Sequence, residues 1–206
     1  MRRRELKPES VASVTEDMLI NSGVPRKFWN AQLGAVDGDP EFKSLIREFM
    51  RDIHEHAKDG MGLLLRGSYG SGKTSLAVTL LKVAIQRGGL AHFVQSRDLP
   101  AVYFDDATID RSFEEPIVIK DRLRTCNLIV IDDLGAESFD THGNAGALIE
   151  GVLRDAYNEE QIVVVTTNCN EGELRSRFNK GVISLLHRMT TAVEINSDQW
   201  QKHDED

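Results

Sequence analysis

Residues 66–75, "RGSYGSGKTS", set two glycines, a lysine and a threonine at the spacing Gly67-x-x-x-x-Gly72-Lys73-Thr74. Glycines let the backbone curl so that successive N–H groups face phosphate oxygens. The positive end of the following helix adds to that field, and a lysine at this spacing reaches the β- and γ-phosphates. Gly67, Ser68, Tyr69, Gly70, Ser71, Gly72, Lys73, Thr74 and Ser75 are therefore the candidate contacts for the phosphates of ATP, with the Thr74 hydroxyl set to hold Mg2+. A dinucleotide-binding turn is excluded, because Gly70-x-Gly72 is followed by Lys-Thr-Ser, with Ser75 where the third glycine, three residues on, would stand.

Two further stretches carry groups that hydrolysis would need. "NLIVIDD" (127–133) is an apolar run ending in two acids. Asp132 stands where a carboxylate holds magnesium, directly or through water, and Asp133 beside it could orient or deprotonate an attacking water. Simple nucleotide kinases do not need that second acid. The bland alternative is a strand-end turn, "DDLG", with two solvated carboxylates. "VVVTTN" (163–168) ends in Asn168, placed to contact the γ-phosphate or its attacking water from a neighbouring strand. Asparagine also favours helix N-caps, here for "NEGELRSRF".

These groups need a scaffold that brings strand ends together. From Pro40, Phe42, Leu45, Ile46, Phe49, Met50, Ile53 and Ala57 fall on one face of a single helix closed by Asp59-Gly60. "MGLLLRG" reads as a buried strand, "KTSLAVTLLKVAIQ" as a helix ended by Gly88-Gly89, and "LAHFVQS" (90–96) as a second strand. A loop or helix around "AVYFDD" and a short helix with Ile117, Ile119 and Leu123 lead to the acid-tipped strand. "NAGALIEGVLRDAYNEE" is a helix with Leu148, Ile149, Val152, Leu153 and Ala156 on one face, and "QIVVVTTN" is another buried strand. Strands alternating with helices imply an α/β fold, a parallel sheet with helices on both faces.

The chain divides into an N-terminal arm (1–38), punctuated by glycines and prolines, a core (39–197) and an acidic tail (198–206). A 206-residue chain with 40% apolar and 28% charged residues suits one soluble core domain with a short appendage. The basic start "MRRRELKPES" has no apolar stretch behind it, so no secretory leader is expected, and no apolar run approaches a membrane span. A cytoplasmic location follows. Cys126 and Cys169 belong to no C-x-x-C pair and read as small buried thiols. His54 and His56 in "HEH" point to different helix faces and read as solvated side chains, not a metal pair. A net charge of −8 argues against a surface devoted to nucleic acid, leaving room only for a local basic groove.

Taken in order, the phosphate loop, the acid-tipped strand, "TTN", "ELRSRF" and "SLLHRM" resemble AAA+ ATPases, and among them the DnaC/IstB-type group of replicative helicase loaders and transposition helper ATPases. The resemblance covers roughly residues 22–197, including "SGVPRKFWNAQL" and "TTAVEINSDQW". It implies a P-loop AAA+ core without a full C-terminal helical lid. It also implies ATP on Gly67 to Ser75, magnesium on Thr74 and Asp132, Asp133 as base, Asn168 as sensor and Arg188 as an arginine finger offered to a neighbouring subunit of a homo-oligomer. Single-stranded DNA and a replicative helicase are the implied partners. DNA would pass the segment from Ser96 to Phe104 and the start of the helix after Asp133, with Arg97, Arg122 and Arg124 as candidate phosphate contacts. The N-terminal arm, around "ESVASVTEDMLINSG", is the candidate partner-binding element.

Three other readings stay open on the residues alone. A transposition helper would bind duplex DNA and a transposase, a nucleotide-switched binding module would hydrolyse ATP slowly, and a small-molecule kinase would transfer the phosphoryl group to an acceptor.

Overall fold

The computed structural model describes residues 5–33, 40–100, 116–136 and 144–195. In chain order the elements are α1 (Glu16–Asn21), a 3-10 turn at Arg26–Phe28, α2 (Pro40–Arg51), α3 (Ile53–Asp59), β1 (Gly62–Gly67), α4 (Lys73–Gln86) and β2 (Ala91–Gln95). They continue through α5 (Pro116–Thr125), β3 (Leu128–Leu134), α6 (Asn144–Asn158), β4 (Ile162–Thr167), α7 (Glu171–Arg177), α8 (Lys180–Met189) and β5 (Thr190–Ile195). The five strands form one sheet in the order β2-β3-β4-β1-β5, with every neighbouring pair parallel.

Parallel strands covered on both faces read as continuous apolar runs, and the period of two then divides each run between two cores. Leu63 and Leu65 of β1, Leu128 and Val130 of β3, and Ile162 and Val164 of β4 face the core built with α2, α3 and α4. Leu64, Ile129, Ile131, Val163 and Val165 face the core built with α6, α7 and α8. α4 is buried along nearly its whole length, from Leu76 to Ile85, which places the phosphate loop at the start of the most enclosed helix.

The helix expected from Pro40 to Asp59 is two helices. The chain leaves helical geometry at Asp52 (φ −102, ψ 17), whose carboxylate is held by the Arg51 guanidinium, before α3 resumes and ends at the left-handed Gly60. β5 is not among the expected strands; it lies at the sheet edge beside β1, with Thr190, Val193 and Ile195 buried and Thr191, Ala192 and Glu194 exposed. His54 and His56 are not solvated: both are half-buried, and His56 stacks on Phe49 with ring centroids 4.4 Å apart.

Residues 5–33 pack onto the core. Leu6, Leu19 and Val24 are buried in it, the Lys7 and Val11 N–H groups donate to the carbonyls of Arg87 and Gln86, and Phe93 N–H donates to Ser22 O at 2.8 Å along the outer edge of β2. The expected elements around "AVYFDD" and the tail 198–206 lie outside the described residues. Among those described, no helix is long and apolar enough to cross a membrane.

Candidate nucleotide site

β1 delivers the chain into the loop at Gly67, where φ is 154 and a Cβ would run into the carbonyl oxygen of Ile195, so only glycine passes. Gly72, left-handed at φ 85, turns the loop into α4, and Leu76 N–H closes the first helical bond onto Gly72 O at 2.9 Å. Lys73 begins the helix and curls back over the loop. Its ammonium donates to Gly67 O (3.0 Å), Ser68 O (2.6 Å) and Ser71 Oγ (3.3 Å), which uses all three of its protons. Burial pulls the Lys73 pKa down, and the charges of Asp133 and Asp132 pull it up.

The acid-tipped strand meets the loop through Asp132. Its Oδ1 accepts from Thr74 Oγ1 at 2.8 Å and from Thr166 Oγ1 at 2.7 Å. Burial raises the Asp132 pKa, while the bonds from Thr166 and Thr74 favour its ionised form. The pairing of β3 with β4 shifts register between Ile131 and Leu134, and in that irregularity Asp133 takes the left-handed conformation at φ 60. Such a conformation costs a non-glycine residue about 1–2 kcal/mol, with aspartate among those that tolerate it best. Three contacts hold it there: Asp133 N–H donates to Thr166 Oγ1 (2.8 Å), Ser96 Oγ donates to Asp133 O (2.8 Å), and Asn168 Nδ2 donates to Asp133 Oδ1 (2.8 Å).

The structure thus gathers Gly67 to Ser75, Asp132, Asp133 and Asn168 at the carboxyl ends of β1, β3 and β4, the place where open parallel sheets hold ligands. Asn168 Oδ1 is buried with no hydrogen-bond partner, so this side chain has spare accepting capacity beside Asp133. The helix cap at α7 belongs to Asn170, whose side chain and Glu173 form a reciprocal capping box, which leaves Asn168 to its contact with Asp133.

Arg188 is set apart. It is exposed in the last turn of α8, and Thr190, two residues on, pairs with Gly62, at the far end of β1 from Gly67. Strand rise puts those two ends roughly 17 Å apart, so Arg188 is not brought to its own phosphate loop. The three arginines expected to meet DNA phosphates each have a neighbour in the chain: Arg122 donates to Asn21 O at 2.8 Å, and Arg124 and Arg97 lie 3.6 and 3.8 Å from the carboxylates of Asp155 and Asp98. Of the segment from Ser96 to Phe104, residues 101–104 lie outside the described residues.

Thr166 and Ser96 were missed by reading types and spacing. Thr166 sits in the quoted "TTN", but its double role, accepting from Asp133 and donating to Asp132, depends on the β3–β4 register. Thr74 and Asp132 supply adjacent hard oxygen donors at the lip of the phosphate loop. Magnesium at nucleotide sites takes only one or two protein oxygens, the rest coming from phosphate and water, so this pair fits it. Among the described residues no group of three or more acidic, histidine or cysteine side chains forms a metal cage of its own.

Residues 52–205 match the family described as IstB-like ATP binding protein. Among solved structures, the chain is similar to the DnaC helicase loader, at 26% identity and a TM-score of 0.67, covering 83% of this chain and 99% of that one. It is similar to DnaI at 21% identity, TM-score 0.67, over 84% and 94% of the two chains. It is also similar to the replication initiator DnaA bound to AMPPCP and single-stranded DNA, at 14% identity, TM-score 0.63, over 81% and 50%. The last two likenesses speak for the fold alone, that of P-loop AAA+ proteins. No curated protein matches the chain.

Proposed function

For a chain that belongs to the IstB-like ATP-binding proteins, we propose the function of an AAA+ ATPase that assembles on DNA and loads or remodels a replicative helicase. The observation that carries this reading is the likeness to the DnaC helicase loader, which extends over 99% of that chain. Assembly is between copies of this chain, in the cytoplasm, with residues 39–197 as the ATPase core, 1–38 as the arm that meets the partner and 198–206 as a tail.

In this reading Lys73 exchanges the carbonyls of Gly67 and Ser68 for phosphate oxygens, and the loop N–H groups take the remaining phosphate charge. Thr74 and Asp132 would hold Mg2+, which would supply positive charge against the phosphates. Asp133 accepts a proton from the attacking water, and Asn168 fixes both the carboxylate and the water's approach. Hydrolysis of this kind also draws on an arginine at the transition state, and among the described residues Arg66 is tied to Glu171 and Glu194 and Arg177 to Gly135 O. Arg188 of a neighbouring copy supplies that arginine.

The transposition-helper reading is kept because the matching family is described by IstB. ATP turnover measured alone, with single-stranded DNA and with duplex DNA separates the two, together with capture of a hexameric replicative helicase. Stimulation by single strands with helicase capture is the expected result. Stimulation by duplex DNA without capture assigns the helper role instead, and phosphoryl transfer to a small acceptor removes both.

A further inference from the structure

Arg66, the residue before the loop, sits in register between Thr167 of β4 and Glu194 of β5, and its side chain is only 18% exposed. Its guanidinium forks onto two carboxylates: NH2 reaches Glu194 Oε1 at 2.8 Å and NH1 reaches Glu171 Oε2 at 3.2 Å. Glu171, the first residue of α7, turns its other oxygen to Arg175 NH2 (2.7 Å) and to His187 Nε2 (3.1 Å). His187 is the residue before Arg188. One carboxylate therefore joins the strand entering the phosphate loop, the helix that begins three residues after Asn168, and the helix that carries Arg188.

We propose that Glu171 is a positioning residue that sets the placement of the Arg188 finger according to the state of its own subunit's phosphate loop. The proposal rests on the reading of Arg188 as a finger acting across a subunit interface. Half-exposed ion pairs contribute little to stability, so energy alone does not explain why three elements converge on one side chain. Geometry gives a reason. Gly67 O is held by Lys73, and a phosphate that draws Lys73 away frees the Gly67–Ser68 peptide, one residue beyond Arg66. Arg66 is pinned at both ends of its fork, so a shift there is passed to Glu171 and through His187 to the end of α8. A small misplacement of a catalytic group is enough to lower turnover by about a hundredfold.

The test mixes variants that are inactive alone. Arg188→Ala keeps an ATP site without a finger, and Lys73→Ala, in which no ammonium holds the Gly67 carbonyl, keeps a finger in the placement of the phosphate-bound loop without an ATP site; their mixture recovering hydrolysis is the control for trans action. Glu171→Gln preserves shape and should bind ATP as wild type does while hydrolysing it about a hundredfold more slowly. Mixed with Lys73→Ala, it supplies only ATP sites and should recover. Mixed with Arg188→Ala, it must supply the fingers and should not. If both mixtures recover equally, or neither does while the control recovers, the positioning role is overturned. If the control itself stays dead in co-assembled protein, the trans reading of Arg188 fails first. His187→Ala, which cuts only the link to α8, gives the same one-sided pattern and carries the test should Glu171→Gln fold poorly.

Discussion

At the carboxyl ends of the strands, Lys73, Asp132, Thr166 and Thr167 are buried polar groups with hydrogen-bond partners, and Asp133 is held left-handed among them. At the amino end of β2 a cavity of about 430 Å³ opens between α1, α4 and α5, lined by Met18, Ile85, Leu90, Ala91 and Cys126. There the buried His92 has an Nδ1 without a partner, and burial together with the Arg122 charge drives its pKa to about 4. One end holds Lys73 and Asp132 in hydrogen-bonded networks; the other keeps a titratable group by leaving it neutral. Polar networks retained against the cost of desolvation belong where charge must be handled, whereas an apolar end serves packing of the arm. Substitutions at the first end should therefore change chemistry, and those at the second should change stability.

The largest effect is expected at Arg188, the exposed residue set apart from the phosphate loop of its own chain. Arg188→Ala should retain ATP affinity and lose roughly 10³–10⁵-fold in turnover, measured at saturating ATP. Loss of nucleotide affinity instead would mean that the side chain serves its own subunit. Asp133→Asn comes next. Asparagine tolerates positive φ and can keep the bond from Asn168, so folding and ATP binding should hold while hydrolysis slows roughly 10²–10⁴-fold. A wild-type rate would remove Asp133 from the chemistry.

How far these roles could be read from residue order differs from element to element. The loop, the acid-tipped strand and "VVVTTN" were legible because phosphate binding and a doubly covered strand each demand specific residue types at adjacent positions. The break at Asp52, the strand β5 and the bridging role of Thr166 were not, since each follows from pairing or contact between distant segments. Cap choice fell between the two: "NEGEL" carries a capping box starting at Asn170, and this local signal separates the cap from Asn168.

At the apolar end the effects should be thermodynamic. His92 has a folded-state pKa of about 4, below the 6.5 of an exposed histidine, so the unfolded chain takes up a proton first as pH falls. Stability from this group is complete above pH 6.5 and is lost progressively down to pH 4, by up to about 3 kcal/mol. His92→Gln should flatten that part of a denaturant-midpoint-against-pH curve; an unchanged slope would show that His92 titrates freely. Gly89→Ala is the smallest change. A Cβ there meets Leu6 of the arm, Ala84 O and Asn127 Oδ1, and should cost about 1–3 kcal/mol of stability with ATP affinity unaltered. Weakened ATP binding in this variant would break the separation between the two ends.

The central claim is that the nucleotide site of one copy is completed by Arg188 of another, and specific ATPase activity measured across a wide range of protein concentration tests it most directly. The account predicts near-zero turnover per chain when dilute and a steep rise as copies assemble, with the rise absent in Arg188→Ala. Constant activity per chain, from dilution to saturation, would contradict it.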